Sequence, residues 1–242
     1  MKRRLNVLLV GLLVIGWWGI RPEPIAAEEA AATALCPAET PVPNPWTRGN
    51  SEGWWMQWHE RLLAAPERKE AQIVIIGDSI PAAWFAAGEQ FAPYKVLNLG
   101  INCDSTQHVL WRIDHGELDN LPKLKVAVIE IGTNNQGINR HPPEDIAKGV
   151  EAVCERVKQK APQAKIILMA IFPKRFGAIK HEVANGLLAK LADDKQVFFV
   201  DINDKILNTE GTVADFVGHP TAKGYELWAD EIRPLIEKLM KD

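Results

Sequence analysis

Ser79 stands in the turn Gly77-Asp78-Ser79-Ile80, directly after the apolar run Ile73 to Ile76. A hydroxyl delivered at the end of a buried strand is a candidate nucleophile, but serine is weak until a base takes its proton, and the base needs an acceptor that fixes its tautomer. Both partner types occur near the C terminus, in Asp215-Phe216-Val217-Gly218-His219-Pro220-Thr221. His219 is the candidate base and Asp215 the candidate carboxylate. Two further turns end apolar runs. After Val96 to Leu99 comes Gly100-Ile101-Asn102-Cys103-Asp104, where helix amides could face an anion or Asp104 could serve as an ordinary N-cap. After Val126 to Ile131 comes Gly132-Thr133-Asn134-Asn135, which offers an amide side chain or only an Asx turn. Each turn alone is a weak signal, since Gly-Asp-Ser closes many strands.

The elements that must position these residues are legible as an alternation. Apolar runs of strand length fall at Ile73 to Ile76, Val96 to Leu99, Val126 to Ile131, Lys165 to Ile171 and Val197 to Val200. Between them lie helical patterns, clearest where Pro142-Pro143-Glu144-Asp145 opens a helix that runs to Lys160 and stops at Ala161-Pro162. A last helix is expected from near Thr221 toward Met240, with Pro234 a kink site. Continuously apolar strands alternating with helices imply a parallel sheet covered on both faces, so the fold class is α/β, a three-layer α/β/α sandwich with about five parallel strands. Ligands of such sheets bind beyond the carboxyl ends of the strands, where the four turns above lie.

The four turns occur in the order and strand context of the SGNH (GDSL) hydrolase superfamily, which the chain resembles from about Gln72 to its C terminus. More narrowly, Leu97-Asn98-Leu99-Gly100-Ile101, Asp104-Ser105-Thr106-Gln107-His108-Val109-Leu110-Trp111-Arg112, Gly116-Glu117-Leu118 and Gly132-Thr133-Asn134-Asn135 look like the catalytic subunits of platelet-activating factor acetylhydrolases and their bacterial relatives. The resemblance implies the flavodoxin-like fold of these hydrolases and an ester-cleaving reaction without cofactor or metal. It makes Ser79 the nucleophile, His219 the general base and Asp215 the orienting acid. The oxyanion hole would be formed by the backbone N–H groups of Ser79 and Cys103 and the side-chain amide of Asn134.

Two positions depart from the family pattern. Cys103 stands where the family has its second-block oxyanion glycine, and Asn102 replaces the glycine before it. A backbone donor survives any side chain. If the turn needs positive φ, however, Asn102 tolerates it better than Cys103, and a side chain at Cys103 would narrow the acyl pocket toward acetyl. The competing reading makes Cys103 buried packing. Second, the family aspartate lies three residues before the histidine, where this chain has Phe216; Asp215 is one residue further back. Gly218 could absorb the extra residue, with Asp201 and Asp204 as fallback acids.

The chain has 242 residues, 47% hydrophobic, with a formal net charge of −3. That length suits one catalytic domain with short extensions, and the charge gives no general attraction for nucleic acid. Residues 1–34 read as a secretory signal: Lys2-Arg3-Arg4, an apolar stretch to Ile20, and small residues suited to cleavage after Ala27 or within Ala30 to Ala34. Export to the periplasm or the extracellular space follows, with membrane attachment only if this segment stays uncleaved. Leu35 before Cys36 disfavours lipidation, and three cysteines permit at most one bridge. Residues 35–66 are expected to form a proline-rich linker and a docking helix at 54 to 65, with the hydrolase domain at 67–242. The tryptophans of the helix could contact a sugar or a lipid, although packing is their commoner role. His59 and His108 read as packing, and the spacing of the histidines is not that of a zinc site. The substrate class is a small acyl ester of an acetylated glycan or lipid; the oligomeric state is not legible. A binding protein that kept the fold and lost catalysis is the competing class, and a flavodoxin-like cofactor binder lacks a glycine-rich phosphate cradle.

Overall fold

The computed structural model describes residues 36–45, 52–172, 181–208 and 218–241. The expected signal segment and Asp215 lie outside the described residues. Five parallel strands form the sheet: β1 Ile73–Gly77, β2 Val96–Asn98, β3 Val126–Glu130, β4 Lys165–Met169 and β5 Val197–Val200. Their order is β2-β1-β3-β4-β5. The chain leaves β1 to one side and then crosses to the other, so the switch of direction falls between β1 and β3, where sheets of this kind open a crevice beyond the strand ends.

Every residue of β1 and β3 is buried, which accounts for the apolar runs Ile73 to Ile76 and Val126 to Ile129 within them. Alternate side chains feed two separate cores. On one face Val74, Ile76, Ala127, Ile129, Ile166 and Leu168 pack with Val109 and Leu110 of helix Thr106–Arg112 and with Val150, Val153 and Val157 of helix Pro143–Lys160. On the other, Ile73, Ile75, Val126, Val128, Ile167 and Met169 meet Trp228, Ile232 and Ile236 of the last helix, Ala222–Leu239. The architecture is the expected three-layer α/β/α sandwich. The last helix continues through Pro234 without interruption.

Among the described residues the α-helices, in chain order, are α1 Trp54–Ala64, α2 Ser79–Ala82, α3 Ala87–Gln90, α4 Thr106–Arg112, α5 Thr133–Gly137, α6 Pro143–Lys160, α7 Glu182–Leu188, α8 Asn203–Asn208 and α9 Ala222–Leu239. Helix α1 buries Trp55 and His59, both 2% exposed, while Trp58 is 43% exposed. Residues 36–45 are pinned to the domain. Ala38 is fully buried, its carbonyl accepts from Thr106 Oγ1 at 2.7 Å, and Val42 N–H donates to Gln107 O at 3.2 Å. No disulfide joins Cys36, Cys103 and Cys154, and burial pushes the Cys154 thiol up to about 12.

Candidate active site

Ser79 is the first residue of α2, placed by a turn that only a close backbone approach allows. A Cβ at Gly77 would lie 1.9 Å from Glu130 O, and one at Gly100 would lie 2.4 Å from Ala82 N. The Ser79 turn is therefore pressed against the end of β3 on one side and the turn after β2 on the other. Asp78 caps α2, its Oδ1 accepting Ile80 N–H at 2.9 Å. That leaves the N–H of Ser79, the first of the helix, without an intrahelical acceptor.

His219 arrives from the other end of the chain, just before α9, where Thr221 caps the helix by accepting Gly224 N–H at 3.1 Å. Its Nε2 lies 2.8 Å from Ser79 Oγ. Tyr225 fixes this approach, its hydroxyl donating to Ile80 O at 2.7 Å, so α9 and α2 are bolted together one turn beyond the pair. Gly218, before the histidine, takes a left-handed φ of 82°, a conformation glycine adopts without penalty.

The two residues share a cavity of about 550 Å³. Its walls include Trp84, Phe85, Asn102 and Tyr225. The indole of Trp84 is held rigid against Trp228 at 4.2 Å and Tyr225 at 5.7 Å between ring centroids. It is Asn102 that lines this cavity; the Cys103 side chain is buried behind it, 3% exposed, and packs rather than narrowing an acyl pocket. The turn does need positive φ, and the residue that takes it is Cys103, at 66°, although asparagine tolerates that conformation better. The turn is held from outside, with Cys103 O accepting from Asn44 Nδ2 at 3.0 Å.

Asn134, at the start of α5, is 8% exposed and reaches between the two turns. Its Nδ2 donates to Asp78 Oδ2 at 3.1 Å and to Asp104 O at 2.8 Å. The side chain thus joins the ends of all three strands that the sequence marked, and both of its protons are in use.

Asp104 is not the N-cap of α4, which is Ser105, whose N–H donates to His108 Nδ1 at 3.0 Å. Asp104 is fully buried and accepts from Trp55 Nε1 at 2.7 Å, Asn44 Nδ2 at 3.1 Å and Arg112 Nε at 2.8 Å. Burial raises its carboxyl to about 6 despite the opposing pull of Arg112 and these donors. Arg112, also fully buried, pairs in addition with Glu117 and donates to Leu99 O at 2.8 Å and Gly77 O at 3.3 Å. One guanidinium therefore holds the ends of β1 and β2 in register. Glu130, at the end of β3, has its carboxyl raised well above the usual range by burial and then by the neighbouring Asp78.

The structure brings Ser79 and His219 together and places Asn134 and Cys103 around the same turns. Asp201 is exposed, and its Oδ1 accepts the N–H of Asn203 in its own turn at 2.9 Å. Sequence reasoning missed the buried Trp55-Asp104-Arg112-Glu117 cluster. Its members come from three elements, and the only local hint was an acid and a base two helical turns apart in Asp104 and Arg112. Among the described residues no group of three His, Cys, Asp or Glu side chains is placed to hold a metal.

The GDSL-like Lipase/Acylhydrolase family matches residues 49–227. Platelet-activating factor acetylhydrolase IB subunit alpha1 of Bos taurus is 34% identical over 186 residues, covering 74% of this chain and 78% of that protein. Among solved structures, a GDSL-like lipase from Bacteroides thetaiotaomicron superposes with a TM-score of 0.61 at 21% identity, covering 76% of this chain and 97% of its own. An acetyl esterase variant with an acetate ion gives 0.57 at 19% identity, covering 71% and 99%.

Proposed function

The chain belongs to the GDSL-like lipase/acylhydrolase family and is an ester hydrolase, and from that premise we propose a serine mechanism acting on a small, acetyl-type ester outside the cytoplasm. The observation that carries it is the 2.8 Å approach of Ser79 Oγ to His219 Nε2, two atoms separated by 140 residues of chain. With the imidazole proton on Nδ1, Nε2 accepts the serine proton as Oγ attacks the acyl carbonyl. The tetrahedral oxyanion is received by the N–H groups of Ser79 and Cys103 and by Asn134. Collapse expels the alcohol, which takes the proton from His219, and a water activated by the same imidazole releases the acid. Asp215 is the acid proposed to orient His219.

The names of the bovine acetylhydrolase and of the acetyl esterase neighbour support acetyl as the acyl group. The basic and apolar N-terminal segment supports export. Burst release from p-nitrophenyl acetate tests the chemistry. Ser79→Ala and His219→Ala proteins that fold and keep wild-type turnover would remove the mechanism. Rates on acetate, butyrate and octanoate esters test the acyl preference, and cell fractionation tests export. A fold that binds without cleaving would leave Ser79 unlabelled by a fluorophosphonate probe.

A further inference from the structure

Helix α1 has two faces that do different things. Trp55 and His59 point into the domain, and Trp55 fixes Asp104. Trp54, Gln57, Trp58 and Arg61 follow the i, i+3, i+4, i+7 spacing of the opposite face. An outward helix face is ordinarily polar, yet this one carries two indoles, and Trp58 is 43% exposed. These four side chains and Asn102 line a second cavity of about 280 Å³. Asn102 lines the catalytic cavity as well, so the two adjoin at a single side chain.

We propose that this cleft is the subsite for the leaving-group side of the substrate, and that it takes a sugar ring, making the enzyme a deacetylase of O-acetylated carbohydrate. The proposal rests on the esterase reading above and names its substrate class. The composition of the cleft decides between sugar and lipid. An acyl or alkyl chain laid here would strip water from Gln57, Arg61 and Asn102 without replacing their hydrogen bonds, leaving each of these groups unsatisfied. A hydroxylated ring supplies donors and acceptors to those planar groups and an apolar C–H face to the indoles. A choline head group would seek an aromatic face, but the Arg61 guanidinium already lies 5.9 Å from the Trp58 ring centroid and repels a second cation.

The test compares Trp58→Ala, Trp58→Phe and the wild-type protein on three acetyl esters: an O-acetylated xylo-oligosaccharide, a 2-acetyl glycerophosphocholine and p-nitrophenyl acetate. In Trp58→Ala the ratio of kcat/KM on the oligosaccharide to that on p-nitrophenyl acetate should fall about tenfold or more, equivalent to about 1.4 kcal/mol, mainly through KM. Trp58→Phe, which keeps a ring, should recover most of it. An unchanged ratio, or a loss confined to the phospholipid, overturns the proposal. Binding is measured separately by titrating the oligosaccharide into Ser79→Ala and following tryptophan fluorescence, with Ser79→Ala/Trp58→Ala as the control. Saturable binding that the second substitution weakens supports the subsite even if turnover fails. Binding that the second substitution leaves unaltered refutes the subsite while the esterase mechanism stands.

Discussion

Replacing Asn134 by alanine tests the oxyanion assignment where the structure is most demanding. Both protons of its amide are committed, one to Asp78 Oδ2 at 3.1 Å and one to Asp104 O at 2.8 Å. To serve an oxyanion the amide must redirect one of them. The bond to Asp78 is the one to yield, because it is the longer and Asp78 keeps Ile80 N–H on its other oxygen. Removing an oxyanion donor typically costs about 2.7 to 4 kcal/mol of transition-state stabilisation. Because a bond to a charged carboxylate is given up in exchange, the lower end applies, and kcat on p-nitrophenyl acetate should fall about a hundredfold with KM changed less than about threefold. The substitution also leaves the buried carbonyl of Asp104 without this donor, at about 1 to 3 kcal/mol of stability. For a domain of this size that lowers Tm by about 2 to 12 °C, so the kinetics are to be run well below the variant's melting temperature. A folded Asn134→Ala protein with kcat within tenfold of wild type would refute the donor role and leave Asn134 as a brace between two turns.

Arg112→Met should lower Tm by about 6 to 20 °C, since unpairing buried Asp104 and Glu117 costs about 3 to 5 kcal/mol; adding Asp104→Asn and Glu117→Gln should recover much of it, and a drop below about 3 °C in thermal melts would contradict the account. Gly100→Ala drives a Cβ to 2.4 Å from Ala82 N under helix α2, so a folded variant should retain about one hundredth of wild-type activity, and retention above one third would show that the turn yields cheaply. Burial first, and the Arg112 charge second, hold both His59 and His108 down at about 4. Each binds its proton more weakly folded than unfolded, so their contribution to stability is full above about pH 6.5 and is lost as the pH falls toward 4. His59→Phe should therefore flatten the plot of Tm against pH in that window; an unchanged slope would mean His59 is protonated in the folded protein.

Local sequence determined the layers of this molecule and the chemistry at their edge. Burial on both faces demands unbroken apolar strands, so the five strands could be read within a residue or two of their ends, and the residues following them named Ser79 and Asn134 as site candidates. A histidine before a final amphipathic helix was equally visible. The tertiary structure decided what such patterns do not encode. The order β2-β1-β3-β4-β5 opens the crevice between β1 and β3, and the Tyr225 bond to Ile80 O brings His219 to Ser79. Packing also assigned Asp104 to Trp55 and Arg112 rather than to a helix cap, and gave the left-handed turn to Cys103 rather than Asn102. Periodicity reports only whether a side chain leaves water. Which buried polar group it then meets is set by segments far away in the chain, because each buried donor and acceptor must find its partner wherever the packed elements happen to place one.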